Sequence, residues 1–521
     1  MMANRLLLIT SSLLLVGGSG FAQITTAQYD NARTGANLHE TVLTPANVNK
    51  DSFGKVGTLK VDGDVYAQPL YLPNVKTNAG RENLLYVATE HDSVYAFDAD
   101  LKQDAPVWHR RLIDEKSGAR TLRDREVSCP FISPEIGITS TPAIDSASGT
   151  IYVLARSFEG SSAIQRLHAL DVATGVEKFG GPVKIEASVT GKTRGGSGPI
   201  VFDGLRENQR AALLLVDGKV YITWASSCDV GPYYGWVMAY DAKTLKQAGV
   251  FNAAPDNGDT GIWQGDAGPA ADEQGNVYVV TGNGEFNASS GGRDYGDTVL
   301  KLAFRNGAIT VADYFTPSNQ ATLNLHDLDL GSQGPVLLPA TKGSKTRAVI
   351  LGGKGDGVYL LNADNLGKFQ RDTNNANALQ VLKNIGGCFG AAAYWNQHVY
   401  LFCSDEVLKA YSWSNGKLSA EPIGAGTTKF IDPGAVPTVS ANDTRDGIVW
   451  VVETKGWRSP DKPSVLYAYD ANHVARELYN SKSPRDTAGK TLRFAIPTVM
   501  NGRVYIGSKG QVDVYGLLAS K

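Results

Sequence analysis

The chain has 521 residues, 50 basic and 52 acidic, with a formal net charge of −2, and no basic block stands out, which argues against a nucleic-acid partner. Its length is enough to bury a large core. With 57 glycines and only 20% charged residues, it suits many short strands joined by tight turns.

The first stretch is Met1-Met2-Ala3-Asn4-Arg5, then the apolar run LLLITSSLLLVGG, then Gly20-Phe21-Ala22 before Gln23. A basic start, a short apolar core and small residues before a cut describe a secretory signal peptide. The run is too short and too glycine-interrupted for a good membrane span, and the residue directly after the cut is Gln23, not a cysteine that could carry a lipid. The expectation is a signal peptide over 1–22, one folded domain over 23–521, no membrane span, and a periplasmic or secreted location.

From there one unit recurs: a small residue or Pro, an apolar strand, a turn, a Gly-x-Val-Tyr-Val strand, a loop, then a strand ending in Asp-Ala with a tight turn. The copies open at Ala67 (AQPLYL), Ser140 (STPAID), Ala211 (AALLLVDGKVYITWA), Ile262, Gly334 (GPVLLP), Ala391 (AAAYWNQHVYLFC), Val436 (VPTVSAND) and Ile496 (IPTVMNGRVYIG). Val, Ile, Tyr and Leu bunch over a handful of residues and are bounded by Gly, Asn, Asp or Pro. Asp217-Gly218 and Asn501-Gly502 sit between first and second strands, a strong hairpin signal. Nothing long carries a helical period. Eight such units predict an all-β, eight-bladed β-propeller with four-stranded antiparallel blades. The eighth unit runs out of chain before its fourth strand, while KVGTLKV from Lys55 to Val61 has no partner of its own. This N-terminal strand is expected to supply the missing one and close the ring.

Four cysteines follow the cut: Cys129, Cys228, Cys388 and Cys403. No Cys-x-x-Cys pair and no haem-attachment signature is present. In an oxidising compartment Cys388 would pair with Cys403 across one hairpin, and Cys129 with Cys228; the alternative is four buried thiols.

The fourth unit carries residues that the repeat does not need. Trp263 precedes its first strand, a Thr281-Gly282-Asn283-Gly284 corner follows its second, and HDLDLG from His326 to Gly331 brings in Asp327 and Asp329. GGKGDG from Gly352 enters a strand and not a helix, so it lacks the context of a phosphate fingerprint.

Together these repeats, with LHALDVATG from Leu167 as a close instance, resemble the quinoprotein propellers built of pyrroloquinoline quinone (PQQ) repeats, over nearly all of the chain after the cut. The resemblance is nearest to the polyvinyl-alcohol dehydrogenase-like members. It implies that Trp263 stacks on the quinone, that Asn283 ligates calcium, and that Asp329, with Asp327 as alternate, is the catalytic base. It further implies Glu159, after IYVLARSF, as a second calcium ligand and Lys354 as the basic residue on the quinone. The chemistry is coherent. Calcium takes hard oxygen ligands and polarises the quinone carbonyl, while a carboxylate accepts the alcohol proton as hydride leaves. The function implied is PQQ- and calcium-dependent oxidation of an alcohol, sugar or polymer hydroxyl. The chain has no haem domain and no adjacent cysteine pair, so a separate electron acceptor is implied. The alternative is a propeller without catalysis that binds protein or glycan partners, since the same fold also serves as a scaffold.

Overall fold

The computed structural model describes residues 22–193, 196–355, 357–459 and 461–519, so all but the last residue of the expected signal peptide lies outside the described residues. Eight small antiparallel sheets follow one another around an axis. Blade 1 is built from Leu70–Thr77, Gly80–Ala88, Ser93–Asp98 and Trp108–Arg111. Blades 3, 4 and 5 start from the inner strands Leu214–Val216, Ala270–Ala271 and Val336–Leu338. The blades pair their strands in sequence order from the axis outward, except for the outermost strand of blade 8. Blade 2 is extended by Arg120–Arg123 and Glu135–Ile136, an insertion carried on its long second strand Thr150–Glu159.

Ring closure follows the sequence expectation. Phe53–Lys60 pairs antiparallel with Gln511–Leu517 as the outermost strand of blade 8. The first and last strands of the ring thus share one sheet, and no edge is left to fray there.

The repeat residues have specific work. Val and Ile of each second strand fill both faces of the blade, and neighbouring blades share apolar cores, as Val279 and Leu300 of blade 4 do with Tyr221 and Val237 of blade 3. The Tyr of Gly-x-Val-Tyr reaches across to the next blade. Tyr86, Tyr152, Tyr278, Tyr400 and Tyr505 donate their hydroxyls to the carbonyls of Val172, Ala242, Ala363, Ala471 and Ala99. Each acceptor lies one residue past the Asp, or in blade 5 the Asn, that ends a third strand. One motif therefore supplies both blade packing and blade-to-blade registry, at about 1 kcal/mol per hydrogen bond.

One feature leaves no trace in the repeat pattern. The segment from Ile24 to Asn37 runs across the axis and bonds the inner strands of the blades in turn. Ile24 pairs with Tyr71 of blade 1, and Thr25 accepts from the Ile144 amide of blade 2. Carbonyls of Asn31, Ala32, Thr34 and Gly35 accept amides of Ala271, Leu337, Tyr394 and Val439 in blades 4 to 7. Side-chain amides of Asn31 and Asn37 reach Leu215 of blade 3 and Val499 of blade 8. Arg33 is fully buried and donates to the carbonyls of Pro269, Ala27 and Leu213 and to Thr26 Oγ1. Four acceptors compensate the cost of burying that cation.

Two disulfides are present, Cys129–Cys228 and Cys388–Cys403. Among the described residues no helix is long and apolar enough to cross a membrane.

Candidate active site

The site is assembled where blade 4 hands over to blade 5. Leaving its second strand, Val277–Val280, the chain turns through Thr281, whose hydroxyl donates to Tyr295 O (2.5 Å) and accepts from the Thr298 amide (2.9 Å). Gly282 comes next. A Cβ there would lie 2.4 Å from Asp329 Oδ1 and 2.7 Å from the Trp263 ring, so only glycine lets the indole and the carboxylate converge on this corner. Trp263 is half-buried and meets Tyr233 edge-on, with ring centroids 5.8 Å apart.

Asp329 is held from both sides. Its Oδ1 accepts the Asn283 amide at 2.8 Å and its Oδ2 lies 2.6 Å from Lys354 Nζ. The Lys354 ammonium also reaches Asp327 Oδ1 at 2.6 Å, and its own amide donates to Asp329 O. Asn283 Nδ2 completes the group by donating to Asp327 Oδ1 at 2.7 Å. The tie that keeps the two corners together is Asp297. Its amide donates to Gly282 O, and its buried carboxylate accepts the Leu330 amide next to Asp329.

Electrostatics follow from this packing. Burial lifts the Asp329 carboxyl above the usual carboxylate range, while Lys354 and the Asn283 amide pull it back. Burial works to lower Lys354, but Asp329 and Asp327 outweigh it and hold the ammonium charged. Asp297 is pushed up to about 7, chiefly by burial. A carboxylate that is buried, oriented by a cation and raised in basicity is suited to accept a proton.

These groups face a cavity of about 140 Å³ lined by Trp263, Asp329 and Lys354, together with Asp229, Ser332, Phe389, Arg210, Arg493, Phe494, Phe131 and the Cys129–Cys228 bridge. Asn283 and Asp327 stand directly behind this wall, joined to Asp329 and Lys354 by the bonds above. Glu159 is not brought here and is absent from the lining. It ends the second strand of blade 2, where it forms a two-pronged pair with Arg166 and accepts from Ser157 Oγ at 2.8 Å. Burial would raise its carboxyl, but Arg166 and Ser157 outweigh that and hold it below its usual value. Its charge is already matched there, and the structure does not bring it together with Asn283.

Asp229 was not singled out from sequence. It also follows the second strand of a blade, one blade later than Glu159, in the loop Ser226–Gly235. Its Oδ1 accepts from Ser226 Oγ and Tyr233 OH, and Tyr233 in turn packs on Trp263. The Arg and Phe residues of the lining come from the blade 2 insertion (Phe131) and from loops ahead of the inner strands of blades 3, 6 and 8, and repeat alignment could have flagged them only as departures.

A flat quinone suits this donor set: an indole on one side, a fixed ammonium beside a carboxylate, and aromatic walls. A calcium ion finds one ready donor, Asn283 Oδ1, which is buried without a hydrogen-bond partner. Among the described residues no group of three or more His, Cys, Asp or Glu side chains is arranged to hold a metal.

No protein-family model matches the chain, and no curated protein matches it by sequence. Solved structures do. Quinohemoprotein alcohol dehydrogenase ADHIIG from Pseudomonas putida HK5 superposes with a TM-score of 0.64 at 15% identity, over 96% of this chain and 81% of that one. The quinohemoprotein alcohol dehydrogenase of Comamonas testosteroni gives 0.61 at 15% identity, with the same shares. A europium-containing methanol dehydrogenase gives 0.58 at 15% identity over 95% and 98%. BamB from Moraxella catarrhalis gives 0.51 at 14% identity over 89% and 99%. At such identities the likeness is one of fold, and proteins of different roles share it. The chain has the eight-bladed β-propeller fold that the quinoprotein alcohol dehydrogenases share with BamB.

Proposed function

We propose that this protein is a PQQ-dependent dehydrogenase that oxidises an alcohol, sugar or polymer hydroxyl outside the cytoplasm. The observation that carries the reading is the convergence of Trp263, Asp329 and Lys354 on one cavity wall, with Gly282 pinched between indole and carboxylate. The structural likeness to quinohemoprotein alcohol dehydrogenases supports it. The basic, apolar and small-residue order of the first 22 residues supports a secreted or periplasmic site of action, and two disulfides agree with it.

Each residue has a physical task. Trp263 offers its face to a flat ring system, with Tyr233 bracing its edge. Lys354 holds Asp329 ionised and oriented through Oδ2, leaving the carboxylate to take the proton of a substrate hydroxyl. Asp327 shares the Lys354 charge and, through Asn283, fixes the corner. Bound PQQ would supply the hydride acceptor. Asn283 Oδ1 would be one ligand for calcium, and the Asp229 carboxylate, on the cavity wall where Glu159 is not, would supply negative charge for it. A soluble acceptor would remove the electrons.

The test is dye reduction by purified protein given PQQ, with and without calcium, across primary alcohols, sugars and polyvinyl alcohol. Activity should appear with at least one substrate and fall roughly a hundredfold or more in Asp329→Asn. No quinone binding at micromolar PQQ, or full activity in Asp329→Asn, would overturn the reading.

A further inference from the structure

A second cavity, of about 260 Å³, lies on the far side of the wall that carries Asp329 and Lys354. That wall is two short segments joined where the Lys354 amide donates to Asp329 O. One residue of each segment lines the first cavity, and the flanking Leu328, Leu330, Gly353 and Gly355 line the second. The facing wall belongs to blade 5. Gly357 and Tyr359 of its third strand, Gly357–Asn362, pair with Lys383 and Val381 of its fourth, Gln380–Lys383. Residues two apart on a strand share a face, so all four are presented to this cavity. The rest of the lining comes from the approach to the helix Gln320–Leu325 and from the loop that carries Asn374 and Asn375.

The polar groups here are mostly uncharged, and their capacity is largely unspent. Asn375 Oδ1 accepts the Ser318 amide at 2.7 Å, which fastens the loop to the helix approach and leaves the Asn375 amino group over. Asn319 precedes the helix without capping it through its side chain. Tyr359 is only 8% exposed, yet no hydrogen bond acts on its phenol, which burial alone pushes up to about 12 with help from Asp297. A buried tyrosine hydroxyl ordinarily has a partner. Among the described lining residues none is a carboxylate. Amides and a phenol both donate and accept, as sugar hydroxyls do, while Leu323, Leu328, Leu330 and Val381 offer apolar surface to the faces of a ring. Cavities of roughly 150 Å³ take benzene, so this one has room for a saturated ring with its hydroxyls.

We propose that this second cavity binds one sugar unit, with Tyr359, Asn319 and Asn375 as its hydrogen-bonding set. The site needs neither quinone nor calcium, so it stands or falls apart from the reading of the first cavity. The unit comes either from a free monosaccharide or from a polysaccharide chain, and the chemistry of recognition is the same for both.

Saturation-transfer NMR titrations of the full-length protein, without PQQ or calcium, test the site with glucose, galactose, xylose and maltohexaose. At least one should show saturable binding. Tyr359→Phe removes only a hydroxyl without a protein partner, so it should weaken binding by roughly fivefold and leave the melting temperature unchanged. Gly357→Val fills the cavity and should abolish binding. A Cβ there meets only Leu382 O at 3.7 Å, Val381 Cγ1 at 3.8 Å and Tyr359 Cε2 at 4.0 Å, all ordinary contacts. If circular dichroism shows that variant unfolded, Tyr359→Phe is read in its place. Absence of saturable binding to all four sugars overturns the proposal, as does undiminished binding in a folded Gly357→Val, which would put the sugar elsewhere. Transfer to acetyl-triglycine amide but to no sugar would make this a peptide site and overturn it too. Maltohexaose held more tightly than glucose, and lost in Gly357→Val, assigns the unit to a chain, whereas no gain over glucose assigns it to free sugar.

Discussion

Ring closure through the N-terminal strand makes a quantitative prediction at Phe53. This residue opens the closing strand, is fully buried, and packs among rings of two blades. Its centroid lies 4.9 Å from Tyr479 in an edge-on contact, 5.6 Å from Trp450 and 6.5 Å from Tyr515. Phe53→Ala removes a buried ring from a junction of blades 7 and 8 and leaves a cavity. Such truncations cost about 4 kcal/mol, and the lost edge-on pair with Tyr479 places this one in the upper part of the range. Unfolding entropy near 2 cal/mol/K per residue gives a ring of this length about 1 kcal/mol/K. The melting temperature should therefore fall by about 4 °C if the ring unfolds as a unit. Val56→Ala in the same strand, at an exposed position, should move it by less than about 1 °C. Thermal scans by circular dichroism read both. A Phe53→Ala protein that melts like the parent would show that the first strand does not close the ring.

Three further outcomes follow from the site and the core. Gly282→Ala should displace either Trp263 or the Asp329 carboxylate, because the new methyl has no free volume there. Spectroscopic PQQ binding should weaken by roughly tenfold or more, while Glu159→Gln should leave binding and activity unchanged. Stability should fall as pH rises from about 5 to 8. Burial pushes Glu90 to about 8 and Asp92 to about 7, so both keep protons in the folded chain that the unfolded chain has already lost. Arg111, Arg156, Asp64 and Glu135 face this pair. Asp272 and Asp486 have lowered values, and their contribution is lost only toward strong acid. Urea unfolding should thus be hardest at mildly acidic pH, and Glu90→Gln should flatten the slope between pH 5.5 and 8.5. A steeper slope in that variant would contradict the assignment. Finally, removing the cavity-wall bridge in a Cys129→Ser, Cys228→Ser protein should loosen the blade 2 insertion, read as faster proteolysis between Arg120 and Ile136, with the blade sheets intact by circular dichroism.

The sequence carries the fold in a form that can be read because each blade repeats it. The Val and Ile of the second strand, its Tyr and the Asp-Ala turn of the third recur at fixed spacing, and each has a packing or hydrogen-bonding task in the ring. Lys55–Val61 was legible for the same reason, as a strand without a partner beside a blade without a strand. The axial segment Ile24–Asn37 was not, because it binds mostly through backbone carbonyls and so imposes no side-chain pattern. At the candidate site, Trp263 and Asp329 stand out in the sequence because they depart from the repeat, whereas Lys354 is pointed to only by the family resemblance; the closed ring places all three on one cavity. Asp229 lines the cavity and Glu159 does not, a difference the sequence hides because loops carry no repeat register and a carboxylate after one second strand looks as good as that after the next. Arg210, Phe389 and Arg493 are far apart in the chain and only the closed ring brings them together.

The most direct test of the account is an equilibrium titration with PQQ, followed by tryptophan fluorescence and quinone absorbance, on the parent protein and Trp263→Ala. A stacked quinone predicts saturable one-to-one binding at micromolar or lower PQQ, weakened by roughly tenfold or more when the indole is removed. The absence of saturable binding, or equal affinity in Trp263→Ala, would contradict the claim that this cavity holds a quinone against Trp263.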